Sequence, residues 1–310
     1  MPPTPTLDCW FLTGPTAGGK TAVGVELARR IGAEIVSLDS MAVYRGMDIG
    51  TAKPTAAERR QVPHHLVDIL EPHEEISLAQ YIAAAQRSID QIKARGREVL
   101  FVGGTPLYLK GLLRGIFRGP PADWDLRRRL AEQAETQGPD FLHRRLAAVD
   151  PAAADRLHPN DTRRLIRALE VYEKTGRPIS DLQREFDVAR PADACRVFVL
   201  QWPTDELNAR IDRRVDAMFA AGLVDEVRTL LGRPQPLSKT AAQAVGYREV
   251  IEHLRGERGL SETIELVKTH TRRFAKRQRT WFRSLSECRF VPGEDPIEPA
   301  EVARRIAENA

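Results

Sequence analysis

The chain has 310 residues, 42% of them apolar, which is enough for one large domain or two moderate ones around a real core. Its 47 Lys and Arg against 43 Asp and Glu leave a net charge of +4, so an argument for a nucleic-acid partner must rest on where the charge lies. Cys9, Cys195 and Cys288 are too far apart for a zinc or redox pair, and neither a secretory signal nor an apolar run of ~18 residues is present, which predicts a cytosolic protein without a membrane span and with free thiols.

Leu7 to Thr13 is a short apolar run and predicts a strand, ending in Gly14-Pro15-Thr16-Ala17-Gly18-Gly19-Lys20-Thr21. That octapeptide fits the phosphate-loop pattern G-x-x-x-x-G-K-[ST]. The glycines let backbone N–H groups converge on phosphate oxygens, Lys20 adds a charge, and the Thr21 hydroxyl can bind Mg²⁺. Thr21 to Arg30 is then helical, with Val23, Leu27 and Ile31 four residues apart and Gly32 placed to end it. Ala33 to Leu38 predicts a second strand with Asp39 at its end, and His65 to Leu70 a third. Asp39 has two readings, a general base in the crevice where α/β ligands bind or a cap for the following turn.

Leu78 to Lys93 is an amphipathic helix closed near Gly96, and Glu98 to Val102 a buried-type strand. That strand runs into Gly103-Gly104-Thr105 without the acidic residue that an NTPase uses to hold Mg²⁺, which favours a phosphate loop serving something other than nucleotide hydrolysis. Thr105 can cap a helix from Pro106 to Leu113. From Trp124 to about Glu185 only helical signals occur, rich in Arg and Ala. A helix starting at Asn160-Asp161 is carried by Leu165, Ile166, Leu169 and Tyr172 and stopped at Thr175-Gly176. Arg196 to Trp202 resumes the strand pattern, and the chain finishes with helices.

The fold class is therefore α/β: a P-loop core with a parallel sheet flanked by helices, plus an all-helical insertion domain. The core is assigned to residues 1–115 and 191–310, and the insertion to 116–190. Lys268 to Arg283 carries seven Lys and Arg and no acid. On a helix, Lys268, Arg272, Lys276, Arg279 and Arg283 fall within about 80° of one another, opposite Val267, Phe274, Trp281 and Leu285. This predicts a basic stripe facing phosphates above a core-facing apolar side, against the plainer reading of a solvated face.

GPTAGGKT, SLDSMAVYRGMDIGTAKP, VGGTPLYLKGL, NDTRRLIRALEVYEKTG, RIDRRVDAMFAAGLVDEV, QAVGYRE and AKRQRTWFR, in this order from residue 14 to about 285, resemble the tRNA dimethylallyltransferases. With no Cys/His pair for the zinc finger of eukaryotic members, the chain is similar to the shorter bacterial form. The resemblance implies transfer of dimethylallyl from its diphosphate to N6 of adenosine 37, in tRNAs reading codons that begin with U. Diphosphate leaves, Mg²⁺ is required, the anticodon stem-loop is gripped with its target base flipped out, and a monomer is expected.

It further implies that Gly14 to Thr21 hold the diphosphate, Asp39 is the general base, Thr105 orients the reactants and Arg214 contacts the diphosphate; Arg213 is the obvious rival to Arg214 on residues alone. The implied tRNA-binding set is Asp39, Ser40, Met41, Ala42, Thr105, Arg127, Arg163, Arg164, Leu165, Ile166 and Arg167, then Gln243, Ala244, Val245, Gly246, Tyr247 and Arg248, then Lys276, Arg277, Gln278, Arg279, Thr280, Trp281, Phe282 and Arg283. An adenylate dimethylallyltransferase shares the loop and the Asp but has less need of the insertion and the basic helix. A P-loop nucleotide kinase is disfavoured by the missing acid, and a non-catalytic RNA-binding module by the intact Lys20, Thr21 and Asp39.

Overall fold

The computed structural model describes residues 6–117, 119–138, 140–183 and 189–310. The chain divides into two compact units, residues 114–188 with the N-terminal tip, and residues 5–113 with 189–310.

The larger unit is built on a six-stranded sheet in the order β3-β2-β4-β1-β5-β6, with every pairing parallel. Its strands are β1 (Trp10–Thr13), β2 (Ala33–Ser37), β3 (His64–His65), β4 (Glu98–Val102), β5 (Arg196–Gln201) and β6 (Cys288–Pro292). β1 and β2 are buried along their whole length, as strands covered on both faces must be. One core layer joins Leu12, Val23, Leu27, Ile35, Leu100 and Leu200 to Val302 and Ile306 of the last helix. Because β1 lies between β4 and β5, the chain leaves its carboxyl end at a switch point in strand order, where α/β sheets open a ligand crevice.

The helices of this unit are α1 (Lys20–Ile31), α2 (Ala56–Gln61), α3 (Leu78–Ala94) and α4 (Pro106–Arg114), and after the insertion α10 (Thr204–Ala220), α11 (Leu223–Leu231), α12 (Lys239–Ala242), α13 (Tyr247–Leu254), α14 (Leu260–Arg283) and α15 (Pro299–Glu308). Gly32 ends α1 at φ 66°, a left-handed position that glycine takes without a steric cost. Ser77 and Gln80 form a reciprocal capping box at the start of α3.

The insertion holds α5 (Trp124–Gln137), α6 (Phe141–Val149), α7 (Pro151–Ala154), α8 (Thr162–Thr175) and α9 (Ile179–Leu182), and no strand among its described residues. Leu126, Leu130, Leu142, Leu146, Leu165 and Leu169 give it a core of its own. Asp161 caps α8 through the Arg164 N–H, and Gly176 closes it in the left-handed region. The part of the helical expectation that reaches 184–185 lies outside the described residues.

Three expectations need correction. The strand expected over His65 to Leu70 joins the sheet only at His64–His65, because Leu66 and Asp68 take positive φ (60° and 56°) and turn the chain away, and Leu70 makes an isolated parallel bridge with Tyr44 instead. The sheet continues past Arg196–Gln201 into β6, so the chain does not finish on helices alone. The core-facing side of the basic helix differs in part from that expected: Val267 and Leu285 are buried, but Ala275, Gln278 and Phe282 join them in place of Phe274, which is exposed, and Trp281, which is half-buried. Among the described residues no helix is long and apolar enough to cross a membrane.

Candidate active site

The phosphate loop leaves β1 through backbone shapes that only small residues fit. Gly14 has φ 142°, and a Cβ there would sit 2.8 Å from the Leu200 carbonyl oxygen. A Cβ on Gly19, at φ 84°, would strike Ile297 at 2.8 Å. Distant side chains brace the loop from outside. The Trp202 indole N–H donates to the Gly18 carbonyl (3.2 Å), and Arg210 lies over the Trp202 ring at 4.2 Å while its Nε donates to the Ala17 carbonyl (3.0 Å). The Thr16 N–H donates to Gln278 Oε1 (2.9 Å), and Arg214 donates to the Thr16 hydroxyl at 3.4 Å.

This loop forms one wall of a cleft of about 510 Å³. Lys20, Thr21, Asp39, Arg210, Arg213 and Arg214 all line it, with Phe274 and Gln278 from α14. The charges are uneven: Lys20, Lys53, Arg210, Arg213 and Arg214 line the cleft against the carboxylates of Asp39 and Glu58. Burial, then the neighbouring Arg214, bring Lys20 down from 10.5 to about 7, with Asp39 opposing the shift. Arg214 is likewise lowered, mainly by burial. A cleft that strains its own cations in this way is completed by an anion. Both rivals line the cleft: Arg213 is exposed and paired with Asp295 at 2.6 Å, while Arg214 is half-buried and donates to the Thr16 hydroxyl of the loop.

Asp39 divides its carboxylate between the two roles read from the sequence. Oδ1 accepts from the backbone N–H groups of Met41 (2.8 Å) and Ala42 (3.4 Å), which caps the turn. Oδ2 has no hydrogen-bond partner among the described residues, and the side chain lines the cleft. Thr105 works beside it. Its N–H donates to the Leu38 carbonyl, and its hydroxyl oxygen accepts from the Ser40 N–H at 3.1 Å, tying the turn after β4 to the turn after β2. The paired glycines before it permit this approach, since a Cβ on Gly103 would fall 2.2 Å from the Leu38 carbonyl oxygen.

The segment from Met41 to Pro54 is pinned by two further charged groups, the half-buried Glu226 and the buried Lys53. Glu226 of α11 accepts from the N–H groups of Asp48, Ile49 and Gly50 and from the Tyr247 hydroxyl (2.6 Å). Lys53, 9% exposed, bonds Asp48, Asp68 and the Tyr44 carbonyl. An acid at mid-helix four residues from Leu230 gave no sequence signal for Glu226; a Lys inside an otherwise apolar-flanked turn was the readable hint for Lys53.

The residues assigned to RNA fall into two kinds. Gln243, Arg248, Lys276, Arg277, Thr280 and Arg283 are exposed, and Ser40, Met41, Val245, Arg279 and Trp281 half-buried. Ala42, Ala244, Gly246, Tyr247, Gln278 and Phe282 are buried, so their side chains shape the surface from beneath. In the insertion, Arg163 and Arg164 are exposed, whereas Leu165 and Ile166 belong to its core. Arg127 and Arg167 both bond the fully buried Glu170, at 2.8 and 2.5 Å. Two members of the expected basic stripe are neutralised by acids of α10: Lys268 by Asp216 and Arg272 by Asp212. The free basic surface of α14 therefore lies nearer its C-terminal end.

The state of Lys20 has a measurable consequence. In the empty protein it is largely neutral above pH 7, and a bound diphosphate favours its charged form. Binding of magnesium pyrophosphate at pH 8 is therefore expected to take up a proton, and affinity to fall by up to about tenfold per unit between pH 7 and 9. Calorimetry in two buffers of different ionisation enthalpy measures the uptake. No proton uptake at pH 8 would place Lys20 already charged in the empty site.

A family model described as IPP transferase matches residues 42–285. The chain is similar to the tRNA dimethylallyltransferase of Geobacter metallireducens, with 50% identity over 286 residues, 92% of this chain and 93% of that protein. The enzyme of the same name from Symbiobacterium thermophilum is 53% identical over 274 residues, covering 88% and 85%. Among solved structures, the tRNA isopentenylpyrophosphate transferase of Bacillus halodurans aligns at a TM-score of 0.69 and 39% identity, over 98% of this chain and 96% of its own. A eukaryotic dimethylallyltransferase acting on tRNA aligns at 0.74 and 27% identity, over 92% and 73%.

Proposed function

We infer the chemistry of the cleft from one premise: the chain belongs to the IPP transferase family. It is a transferase that prenylates tRNA, and neither a free-adenylate transferase nor a nucleotide kinase is supported by its relatives.

The finer reading is that dimethylallyl diphosphate donates to N6 of adenosine 37, in tRNAs that read codons beginning with U. The observation that carries it is a phosphate loop and a carboxylate with one free oxygen lining the same cleft. The N6 nitrogen forms a bond to the allylic carbon while that carbon's bond to the diphosphate oxygen breaks. The exocyclic amine becomes acidic only as the new bond forms, and Asp39 Oδ2 takes its proton. Lys20, Arg214 and the loop N–H groups meet the charge that develops on the departing diphosphate. Thr105 holds the Asp39–Ser40 turn in place for this transfer.

Mg²⁺ fits the donor set. Such an ion keeps several waters and takes one or two protein ligands besides phosphate oxygens. Thr21 lines the cleft, its hydroxyl has no hydrogen-bond partner among the described residues, and it would hold the ion. When bound, the ion neutralises charge on the leaving diphosphate.

On the RNA side, the exposed Arg163 and Arg164 of the insertion and Lys276, Arg277 and Arg283 of α14 supply phosphate contacts to the anticodon stem-loop. The test is incubation with dimethylallyl diphosphate and either unmodified tRNA or AMP, followed by digestion and identification of the product nucleoside by mass. Prenylated adenosine from tRNA alone is expected. Reversing Lys276, Arg277 and Arg283 to Glu is expected to weaken tRNA binding and lower its salt slope by about one unit per lost contact. Prenylated AMP as the main product, or unchanged tRNA affinity in the reversed variant, would overturn the respective half of this reading.

A further inference from the structure

Gln278 sits in the most basic stretch of the chain, yet its side chain points away from solvent and is 4% exposed. Its carboxamide is used at both ends. Oε1 accepts from the Thr16 N–H of the phosphate loop at 2.9 Å, and Nε2 donates to the Gly104 carbonyl at 2.6 Å. Gly104 is a glycine partly for this reason: a Cβ there would lie 2.6 Å from Gln278 Nε2 and 3.5 Å from Lys20 Nζ. The two backbone segments so joined carry the two halves of the chemistry. Thr16 belongs to the diphosphate cradle and also bonds Arg214, and Gly104 precedes Thr105, whose hydroxyl holds the Ser40 N–H beside Asp39.

The helix that presents Gln278 is itself fixed. Ala275 and Val267, about one and three turns before Gln278 along the same face, pack with Ala17 of the loop and with Trp202, Leu207 and Ile211. The glutamine carboxamide offers an acceptor and a donor from a single planar group, with no charge at any pH. The Gly104 contact is buried and the Thr16 contact partly so, and losing either takes a hydrogen-bond partner from a backbone group.

Resting on the transferase reading above, we infer that Gln278 is a positioning residue: it sets the diphosphate loop against the turn that carries Thr105 and so aligns donor and base. It acts on the reaction step and on diphosphate binding rather than on RNA affinity.

Gln278→Leu keeps the volume and removes both contacts. It is expected to bind tRNA within about twofold of wild type, while its single-turnover rate at saturating substrates falls ~10- to 100-fold, as for a small misplacement of reacting groups. Gln278→Glu supplies the conservative control. Ionised, it keeps only the acceptor; protonated, it offers an acceptor and a donor as glutamine does. Its rate relative to wild type is therefore expected to climb severalfold as pH is lowered from 8.5 to 6, a trend that a general loss of packing does not produce. Calorimetric titration of both variants with magnesium pyrophosphate, expected to show weakened binding for Gln278→Leu, needs no transfer activity. If the wild type failed to prenylate tRNA, the functional reading would fall while this titration still decided the role of Gln278. A Gln278→Leu protein with the wild-type rate and pyrophosphate affinity, a defect confined to tRNA affinity, or a flat pH ratio for Gln278→Glu would each overturn the inference.

Discussion

The Asp39→Asn protein is expected to fold, to bind tRNA and dimethylallyl diphosphate nearly as well as wild type, and to lose ~10²–10⁴-fold in the single-turnover transfer rate. The geometry makes this variant selective. Oδ1 accepts from Met41 and Ala42, and an asparagine oxygen in the same place accepts both bonds, so the turn keeps its cap. The atom replaced is Oδ2, which has no partner among the described residues and faces the cleft. Exchanging it for an amide nitrogen removes the proton acceptor alone. Because the defect lies in the transition state, raising either substrate should not relieve it. Asp39→Ala loses the cap as well, and is expected to cost a further ~1 kcal/mol of stability. An Asp39→Asn protein retaining more than about a third of the wild-type rate, far above the loss for a missing base, would reduce Asp39 to its capping role.

Lys20→Ala is expected to lower transfer by ~10²-fold or more with tRNA affinity nearly unchanged, the scale of losing one charge-stabilising donor. Lys20 sits in the loop with its ammonium on the Pro15 carbonyl (2.7 Å) and lines the cleft beside Arg214. Truncation removes the cation that develops its full interaction only once diphosphate departs. It also relieves an unfavourable burial, so the variant should not be less stable than wild type in a thermal melt. ATP should be dispensable to both proteins. Turnover that required ATP and released inorganic phosphate would return the loop to nucleotide hydrolysis.

Much of this site could be read from the chain because its signals are local. The loop follows an apolar strand and opens a helix within eight residues, and Asp39 and Thr105 lie two and three residues past the ends of β2 and β4. Apolar and β-branched content over His65 to Leu70 looks like a strand, but Leu66 and Asp68 adopt left-handed backbone, with Asp68 held by Lys53, Arg59 and the Ala42 carbonyl. β6 was missed since Cys288–Pro292 alternates between partly covered and open positions at the sheet edge. The basic helix was partly misoriented because its aromatic residues were taken to mark the core. Val267, Thr271, Ala275, Gln278 and Phe282 follow helical spacing just as well, and a polar residue in that row was the sign of a functional strut. The pairing of Lys268 and Arg272 with Asp216 and Asp212 depends on how two helices lie together, which no local pattern encodes.

The bracing of the phosphate loop also bears on the order in which the molecule can come into being. The motif is complete within the first 21 residues, but its shape is held by Leu200, Trp202, Arg210, Gln278 and Ile297, all from residue 200 onward. β1 likewise gains one of its two neighbours only when Arg196–Gln201 is available. Contacts so distant in sequence form late and make for slow folding. On a ribosome, the chain that emerges first thus carries a recognisable phosphate motif with no cradle. The anion site becomes real only near the end of synthesis, and a nascent or C-terminally shortened chain is kept from sequestering diphosphates before it can use them.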